Sequence, residues 1–373
     1  MCRKWPLKDN IEVEVIMNKT FLYHYVRTAL VTAVLCVTVL SSVLPVSCRL
    51  TENGIQLVST DVTAPTVVSF SVSSENTLEL VCSEPVTIAE ASVDEECCTV
   101  SYSGTGEIVC VELPSSTEVG KTYSFFCSVA DGAGNTLTYS RPFSGYNAQP
   151  ARLMLSEIRT ETSSNNNRYP EFIELYVLTS GNLWGLSLVT AKGGSEKTYA
   201  FQALEVAAGE FITVHYMSPE SGSCIDETGD DLTLSTAQDS LDTARDFWIS
   251  NTASCLTKSD VILLMAQEEA VVMDAVAFSA TESEWTSKVR SYAEKACEAG
   301  ILVDGVTRAC ASSSVGATGV RTLSRQNLTE LSALYCGSAA VPAAIPVTKD
   351  DWCIVKKATP GSWNSTDVYT ASK

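Results

Sequence analysis

The chain has 373 residues, of which 45% are hydrophobic and 18% charged, with a formal net charge of -19 and a pI near 4.5. That apolar content supports a packed core and argues against disorder, and the length suits two domains of ordinary size. So acidic a surface repels phosphate backbones, and no nucleic acid is expected as a partner.

The first 48 residues differ from the rest. Ala29 to Cys48 reads ALVTAVLCVTVLSSVLPVSC, an uncharged apolar run preceded by Lys19 and Arg27. This is the order of a signal peptide, positive and then apolar. Met17 opens it as a natural start, which makes residues 1–16 a gene-start extension. The run closes on Val46-Ser47-Cys48, a small residue before cysteine, and resembles the lipobox of bacterial lipoproteins, with Pro45 where leucine is usual. The resemblance implies cleavage before Cys48, a lipid on its thiol, and a membrane-tethered protein of the bacterial cell envelope. The alternative is an uncleaved anchor, because the run is just long enough to span a bilayer.

The cysteines fit export. Of the 14, Cys2 and Cys36 fall in the leader and Cys48 takes the lipid. The rest are Cys82, Cys97, Cys98, Cys110, Cys127, Cys224, Cys255, Cys297, Cys310, Cys336 and Cys353. No C-x-x-C occurs, so neither a zinc knuckle nor a thioredoxin-like site is indicated, and disulfides are expected in an oxidising compartment. The odd number leaves one thiol over, which adjacent Cys97 and Cys98 would supply. The pairing is open.

Residues 49–61 read as a tether. From Thr63, TAPTVVSFSVSSENTLELVCSEPV alternates with period two on either side of a Ser-Ser-Glu-Asn break, the pattern of a hairpin. YSFFCSVADGAGNTLTYS, from Tyr123, repeats it around the turn Asp131 to Asn135. With Asp61, Ala64-Pro65-Thr66, Ser83-Glu84-Pro85-Val86 and Asp131-x-Ala133-Gly134-Asn135, residues 62–147 resemble the bacterial Ig-like domains of cell-surface proteins. Cys82 stands where they carry phenylalanine. The resemblance implies a β-sandwich spacer or adhesion module without catalytic residues.

GYNAQP, residues 145–150, reads as a linker. A second β region follows. Its landmarks in order are Ser156-Glu157-Ile158, Glu171 to Tyr176, Trp184, Gly209-Glu210-Phe211, Asp260 to Leu264, Asp274 to Phe278, Leu323-Ser324-Arg325, Asp351-Trp352, and Thr359 to Asn364. A polar turn is expected at Gln267 to Glu269, and a helix over Ser287 to Gly300, where Val289, Tyr292, Ala293 and Cys297 share one side. This ordered series resembles the lamin-tail domain, an Ig-like β-sandwich. It covers about residues 151–365, with apparent insertions at 216–258 and 286–320, and departs from the family in LWGLSL and in its six cysteines. The fold class expected for the chain is therefore all-β, two Ig-like sandwiches in tandem. In that frame DWCIVKKATPGSWN closes the domain, with Trp352 as an apolar anchor, Pro360-Gly361 as a turn and Trp363 sealing the edge.

Catalytic signals are sparse, and no enzyme is expected. His24 lies in the leader, which leaves His215, on a strand face with Phe211 and Thr213. No H-E-x-x-H or G-x-S-x-G occurs. Glu157, Glu171 and Glu174 are placed on solvent faces of strands. Asp226, Glu227, Asp230 and Asp231 surround Gly229 in an expected loop that could hold Ca2+ or stay a solvated acidic loop. The expected function is non-catalytic binding, adhesion or envelope organisation by a lipid-anchored protein, with the 216–258 insertion and Trp248 contacting an unidentified partner. The alternatives are a purely structural scaffold and a hydrolase using loop carboxylates.

Overall fold

The computed structural model describes residues 61–162, 169–192, 198–218, 222–250, 255–266, 271–280, 285–306 and 312–370. The leader, Cys48, Cys310 and the turn expected at Gln267 to Glu269 lie outside them. Asp61–Lys373 forms one compact unit, and the described chain is mostly β. No helix among the described residues is long and apolar enough to cross a membrane.

The first lobe has eight strands: β1 (Val67–Ser74), β2 (Thr77–Cys82), β3 (Val86–Val93), β4 (Glu96–Cys97), β5 (Thr99–Ser103), β6 (Ile108–Glu112), β7 (Thr122–Asp131) and β8 (Thr136–Ser144). They form two antiparallel sheets, in the orders β1-β2-β6-β5 and β4-β3-β7-β8. Both expected hairpins are present, with Phe70 opposite Leu80 and Cys127 opposite Tyr139. Alternation sets the core. Leu78, Leu80, Cys82, Val109 and Val111 from one sheet meet Ala91, Val93, Phe125, Cys127 and Val129 from the other in one buried cluster. Asp131 holds the β7–β8 turn, its carboxylate accepting from the amides of Ala133 and Asn135.

Residues 145–150 are packed rather than free. The Asn147 side-chain amide donates to the carbonyls of Asn182 and Trp184 at 3.2 and 2.8 Å, and Pro150 bridges to Asn182. Composition marks such a stretch as a connector, but asparagine lets it hydrogen-bond the lobe it enters.

The second lobe continues with β9 (Arg152–Arg159), β10 (Phe172–Thr179), β11 (Gly181–Asn182), β12 (Ser187–Thr190), β13 (Tyr199–Ala200), β14 (Glu205–Val206), β15 (Phe211–His215), β16 (Arg245–Trp248), β17 (Asp260–Ala266), β18 (Val271–Ser279), β19 (Ser312–Ser313), β20 (Thr322–Arg325) and β21 (Trp352–Val355). A six-stranded sheet, β16-β15-β10-β9-β20-β21, faces a five-stranded one, β13-β12-β17-β18-β19. Leu155, Ile173, Leu175, Ile212, Val214 and Leu323 from the first join Leu188, Ile262, Leu264, Val276 and Phe278 from the second in the main core.

Helix α1 (Ser287–Glu298) lies where helical spacing places it, capped by the Thr286 hydroxyl, and buries Val289, Ala293 and Ala296. A second helix, α2 (Leu328–Tyr335), was not expected from the sequence. Its eight residues are too few to show a period, and Leu328 and Leu331 pack on the outer side of the six-stranded sheet with Met154, Tyr176 and Phe211. The 216–258 insertion is in part sheet: β16 pairs in parallel with β15 as an edge strand. A four-residue edge strand far from its neighbour in sequence gives too little alternation to be read ahead of the structure.

Candidate functional site

The second lobe concentrates its titratable groups inside the protein. Glu157, Glu171 and Glu174, expected in solvent, have no exposed surface at all. The reason is that β9 and β10 are covered on both sides: the two sheets meet on one face, and on the other lie α2, the residues 222–244 and the closing segment. A glutamate between apolar neighbours, as in LSEIR and FIEL, is then buried whichever way it points.

Each buried carboxylate binds backbone amides of a neighbouring segment. Glu157 accepts from the Thr359 amide at 2.9 Å and from the Thr322 hydroxyl. Glu174 accepts from the Gly361 amide at 2.5 Å and from the Ser156 hydroxyl at 2.8 Å. Asn364 completes the closure, its amide donating to the carbonyls of Ser156 and Arg325. The landmarks S-E-I, E-F-I-E-L-Y and T-P-G-x-x-N are therefore two sides of one interaction. Gly361 sits at φ +75, and a Cβ there would meet Ala244 at 2.8 Å, so glycine is required both for the turn and for the close approach. Trp363 lies half-exposed across Tyr176 and Phe211, with ring centroids 5.4 and 5.5 Å away. Trp352 is the buried anchor that the motif implied.

Burial raises these acids. Glu157 is pushed up to about 7 by loss of solvent, against the pull of Thr322 and Thr359. Glu174 is raised well above the usual range by burial and then by the charge of Glu157, and burial takes Asp260 to about 6. Glu171 receives the Cys255 and Leu256 amides at 2.5 and 2.9 Å. Glu171→Ala leaves those two donors buried without this acceptor, at about 1–3 kcal/mol each. The variant is expected to lose stability on that scale in urea unfolding, with Glu171→Gln recovering much of it.

The four carboxylates of the acidic loop do not gather into one group; each has its own place. Glu227 is fully buried and accepts from the amides of Ser235 and Asp246 at 3.1 and 2.8 Å. Asp226 accepts from the Trp248 amide at 2.6 Å, Asp231 binds the amide and hydroxyl of Thr233, and Asp230 is exposed. The loop closes on itself, so these carboxylates fold the insertion. Trp248 is buried too: it stacks on His215 at 3.8 Å between ring centroids and donates from Nε1 to Ser235. His215 Nε2 pairs with Asp246 Oδ1 at 2.7 Å, both groups out of solvent. Arg159 clamps the same loop through Asp239, and Arg245 through the carbonyls of Glu227 and Gly229 while it pairs with Glu210 before β15.

Among the described residues, the carboxylates that gather are Asp61, Glu84 and Asp131, whose oxygens lie within 4.8 Å of one another. Sequence reading quoted all three as family landmarks without bringing them together; they come from three segments up to 70 residues apart. Glu84 is raised by partial burial and by the charges of Asp131 and Asp61.

Among the described residues, Cys82, Cys97, Cys98, Cys110, Cys127, Cys297, Cys336 and Cys353 are free thiols, so the disulfides expected at them are not seen in the structure. Spacing along the chain carries no information on which strand faces which, and Cys97, Cys336 and Cys110 lie on outward or exposed positions.

The family described as TP_1001 protein second domain matches residues 151–354. The chain belongs to that family. An uncharacterized protein of Treponema pallidum (strain Nichols) is 32% identical over 169 residues, 45% of this chain and 42% of that protein. The match thus spans less than half of the relative's length. The N-terminal part of the bacterial S-layer protein SbsC is 16% identical, with a TM-score of 0.22, over 57% of this chain and 43% of that one. The span matched by the TP_1001 second-domain family holds Glu157, Glu171, Glu174, His215 and Arg325. The Thr359 to Asn364 segment that two of these glutamates bind lies just beyond it.

Proposed function

We propose that the chain is a lipid-anchored, non-catalytic platform of the bacterial cell envelope, an Ig-like spacer carrying a lamin-tail-like domain that binds a partner. The observation that carries this reading is the use of the second lobe's acids. Glu157, Glu171, Glu174 and Glu227 hold backbone amides, and His215 is sealed between Trp248 and Asp246. Groups so engaged position loops and are not open to a substrate. The partner surface is the outer side of the insertion, where Ile225, Leu234 and Leu241 are exposed beside Asp230 and Asp231, with Gly361 close to Leu241. Such a surface suits a basic protein partner with an apolar centre.

The test uses intact cells carrying the full chain. A fatty-acid analogue should label wild type and not Cys48→Ala, and external protease should remove the second lobe. Equal labelling of both forms, together with full protection from protease, would remove the lipid tether and the surface platform from the reading.

A further inference from the structure

Trp363 is an aromatic side chain that the second lobe leaves in water. It is 48% exposed, whereas Trp248, Trp285 and Trp352 are buried. So much wet apolar area is unusual for tryptophan. Its position is fixed from both sides. Glu174 holds the Gly361 amide, and the carbonyls of Ser156 and Arg325 hold the Asn364 side chain. Tyr176 and Phe211 back the indole from within the fold. A ring held in this way gives up little freedom when a partner group lies on it.

The surface beside it is acidic. A Cβ on Gly361 would meet Ala244 at 2.8 Å and Leu241 at 3.0 Å, so the closing segment lies against the insertion. Residues 222–244 hold six carboxylates and no lysine, arginine or histidine. Asp226, Glu227 and Asp239 are engaged within the fold. Asp230, Asp231 and Asp242 are exposed, and so are Leu241 and Thr243 on either side of Asp242. The two arginines that touch the insertion point inward: Arg159 binds Asp239, and Arg245 binds Glu210 and the carbonyls of Glu227 and Gly229. The surface charge of the insertion is therefore of one sign.

We propose that Trp363 anchors the partner surface by receiving an arginine side chain of a basic protein, which Asp230, Asp231 and Asp242 draw in. This rests on the reading of the insertion as a partner surface and names the group that docks there. The two parts do different work. Exposed carboxylates attract any cation over a distance that salt shortens. The indole attracts a cation at its face, and a planar, weakly hydrated guanidinium stacks there better than a compact, strongly hydrated ammonium. Charge thus brings a basic segment to the surface, and the ring selects arginine over lysine within it. A neutral sugar could lie on the same ring, but it would gain nothing from the carboxylates around it.

The experiment titrates the full chain, held in a neutral detergent, with hexa-arginine and hexa-lysine peptides by calorimetry at low and at physiological salt. Wild type is expected to bind hexa-arginine about fivefold more tightly than hexa-lysine, the scale of one cation–π contact at a half-exposed ring. Trp363→Leu should bind both peptides alike. Trp363→Phe, which keeps an aromatic ring against Tyr176 and Phe211, should retain part of the preference. Asp230→Asn/Asp231→Asn/Asp242→Asn should weaken both peptides equally and reduce the salt dependence, with the preference for arginine left in place. If Trp363→Leu keeps the preference, the ring is not the anchor and the inference fails, while the acidic partner surface stands. If neither peptide binds wild type at low salt, or the triple variant binds like wild type, the anchor and the basic partner fall together. Chitotetraose is the neutral probe. Its binding, if abolished in Trp363→Leu and not displaced by hexa-arginine, would overturn the inference in favour of a glycan.

Discussion

Arg325→Met is expected to lose about 3–5 kcal/mol of stability, the largest single-residue effect in the second lobe. Arg325, on β20, is 1% exposed and grips Asp274 of β18 with both guanidinium nitrogens, at 3.0 and 3.1 Å. It therefore ties the six-stranded sheet to the five-stranded one through the core between them. Asp274 also accepts from the Leu155 amide at 2.7 Å, so its carboxylate is anchored and cannot turn toward water when its partner is lost. The guanidinium also lies over the Trp352 ring, 5.3 Å from its centroid. Removing the arginine leaves a charge stranded in the core, and the cost is mainly that charge. The double variant Arg325→Met/Asp274→Asn keeps an acceptor for Leu155 and has no stranded charge. It should be more stable than Arg325→Met alone in urea unfolding. If the second substitution adds to the loss instead, the pair is not what joins the sheets.

That pair also shows how much of the lobe could be read in advance. Leu323-Ser324-Arg325, Asp274 to Phe278 and Asp351-Trp352 stood out as an ordered series, and the strands they mark are present. What the order could not show is that Arg325, Asp274 and Trp352 meet. Sequence reports spacing along a strand, while the meeting depends on which strand lies across the core. The same limit explains the glutamates. Placing Glu157 and Glu174 in solvent follows from treating each strand as half-exposed, and it fails because a closing segment nearly 190 residues after Glu174 covers the outer face. The signal was present in LMLSEIR and FIELYVL, where apolar residues fill both alternating positions. A strand apolar on both faces is covered on both faces, and its glutamate is then internal.

The first lobe was more legible because its information is local. Its two long hairpins carry their turns in the sequence, and Asp131 marks the β7–β8 turn by hydrogen bonds to residues two and four positions on. The insertion at 216–258 was less so. Its carboxylates look solvent-bound in a string of Asp, Glu and Gly, yet Glu227 turns in because the amides of Ser235 and Asp246 need an acceptor once the loop covers the sheet. Trp248, taken as a partner contact, instead packs on His215 for the same reason: β16 is an edge strand whose outer face the loop closes.

The protein is expected to lose stability as pH rises from about 4.5 to about 7, the reverse of the usual acid denaturation. Glu157 titrates at about 7 in the folded chain against 4.5 when exposed. Between those values the folded state holds a proton that the unfolded state has released, so each rise in pH favours unfolding. The contribution is fully present below 4.5 and gone above about 7. A gap of that size amounts to about 3 kcal/mol. Glu174 and Asp260 are raised by burial as well and act with the same sign, and Glu157 and Glu174 titrate as a coupled pair, so their steps belong to both. Urea unfolding across pH 4.5 to 8 should show the decline, and Glu157→Gln should make it shallower, with Glu174 and Asp260 supplying what remains. Glutamine keeps an acceptor for the Thr359 amide and never acquires the charge, so this variant should match wild type near pH 4.5 and exceed it near pH 8. Because Glu157 and Glu174 both hold the segment from Thr359 to Asn364, the fluorescence of Trp363 should change over the same range in wild type and not in Glu157→Gln/Glu174→Gln. A stability that climbs between pH 4.5 and 7 would mean that these carboxylates reach water in solution, and the account of the closing segment given above would fail with it.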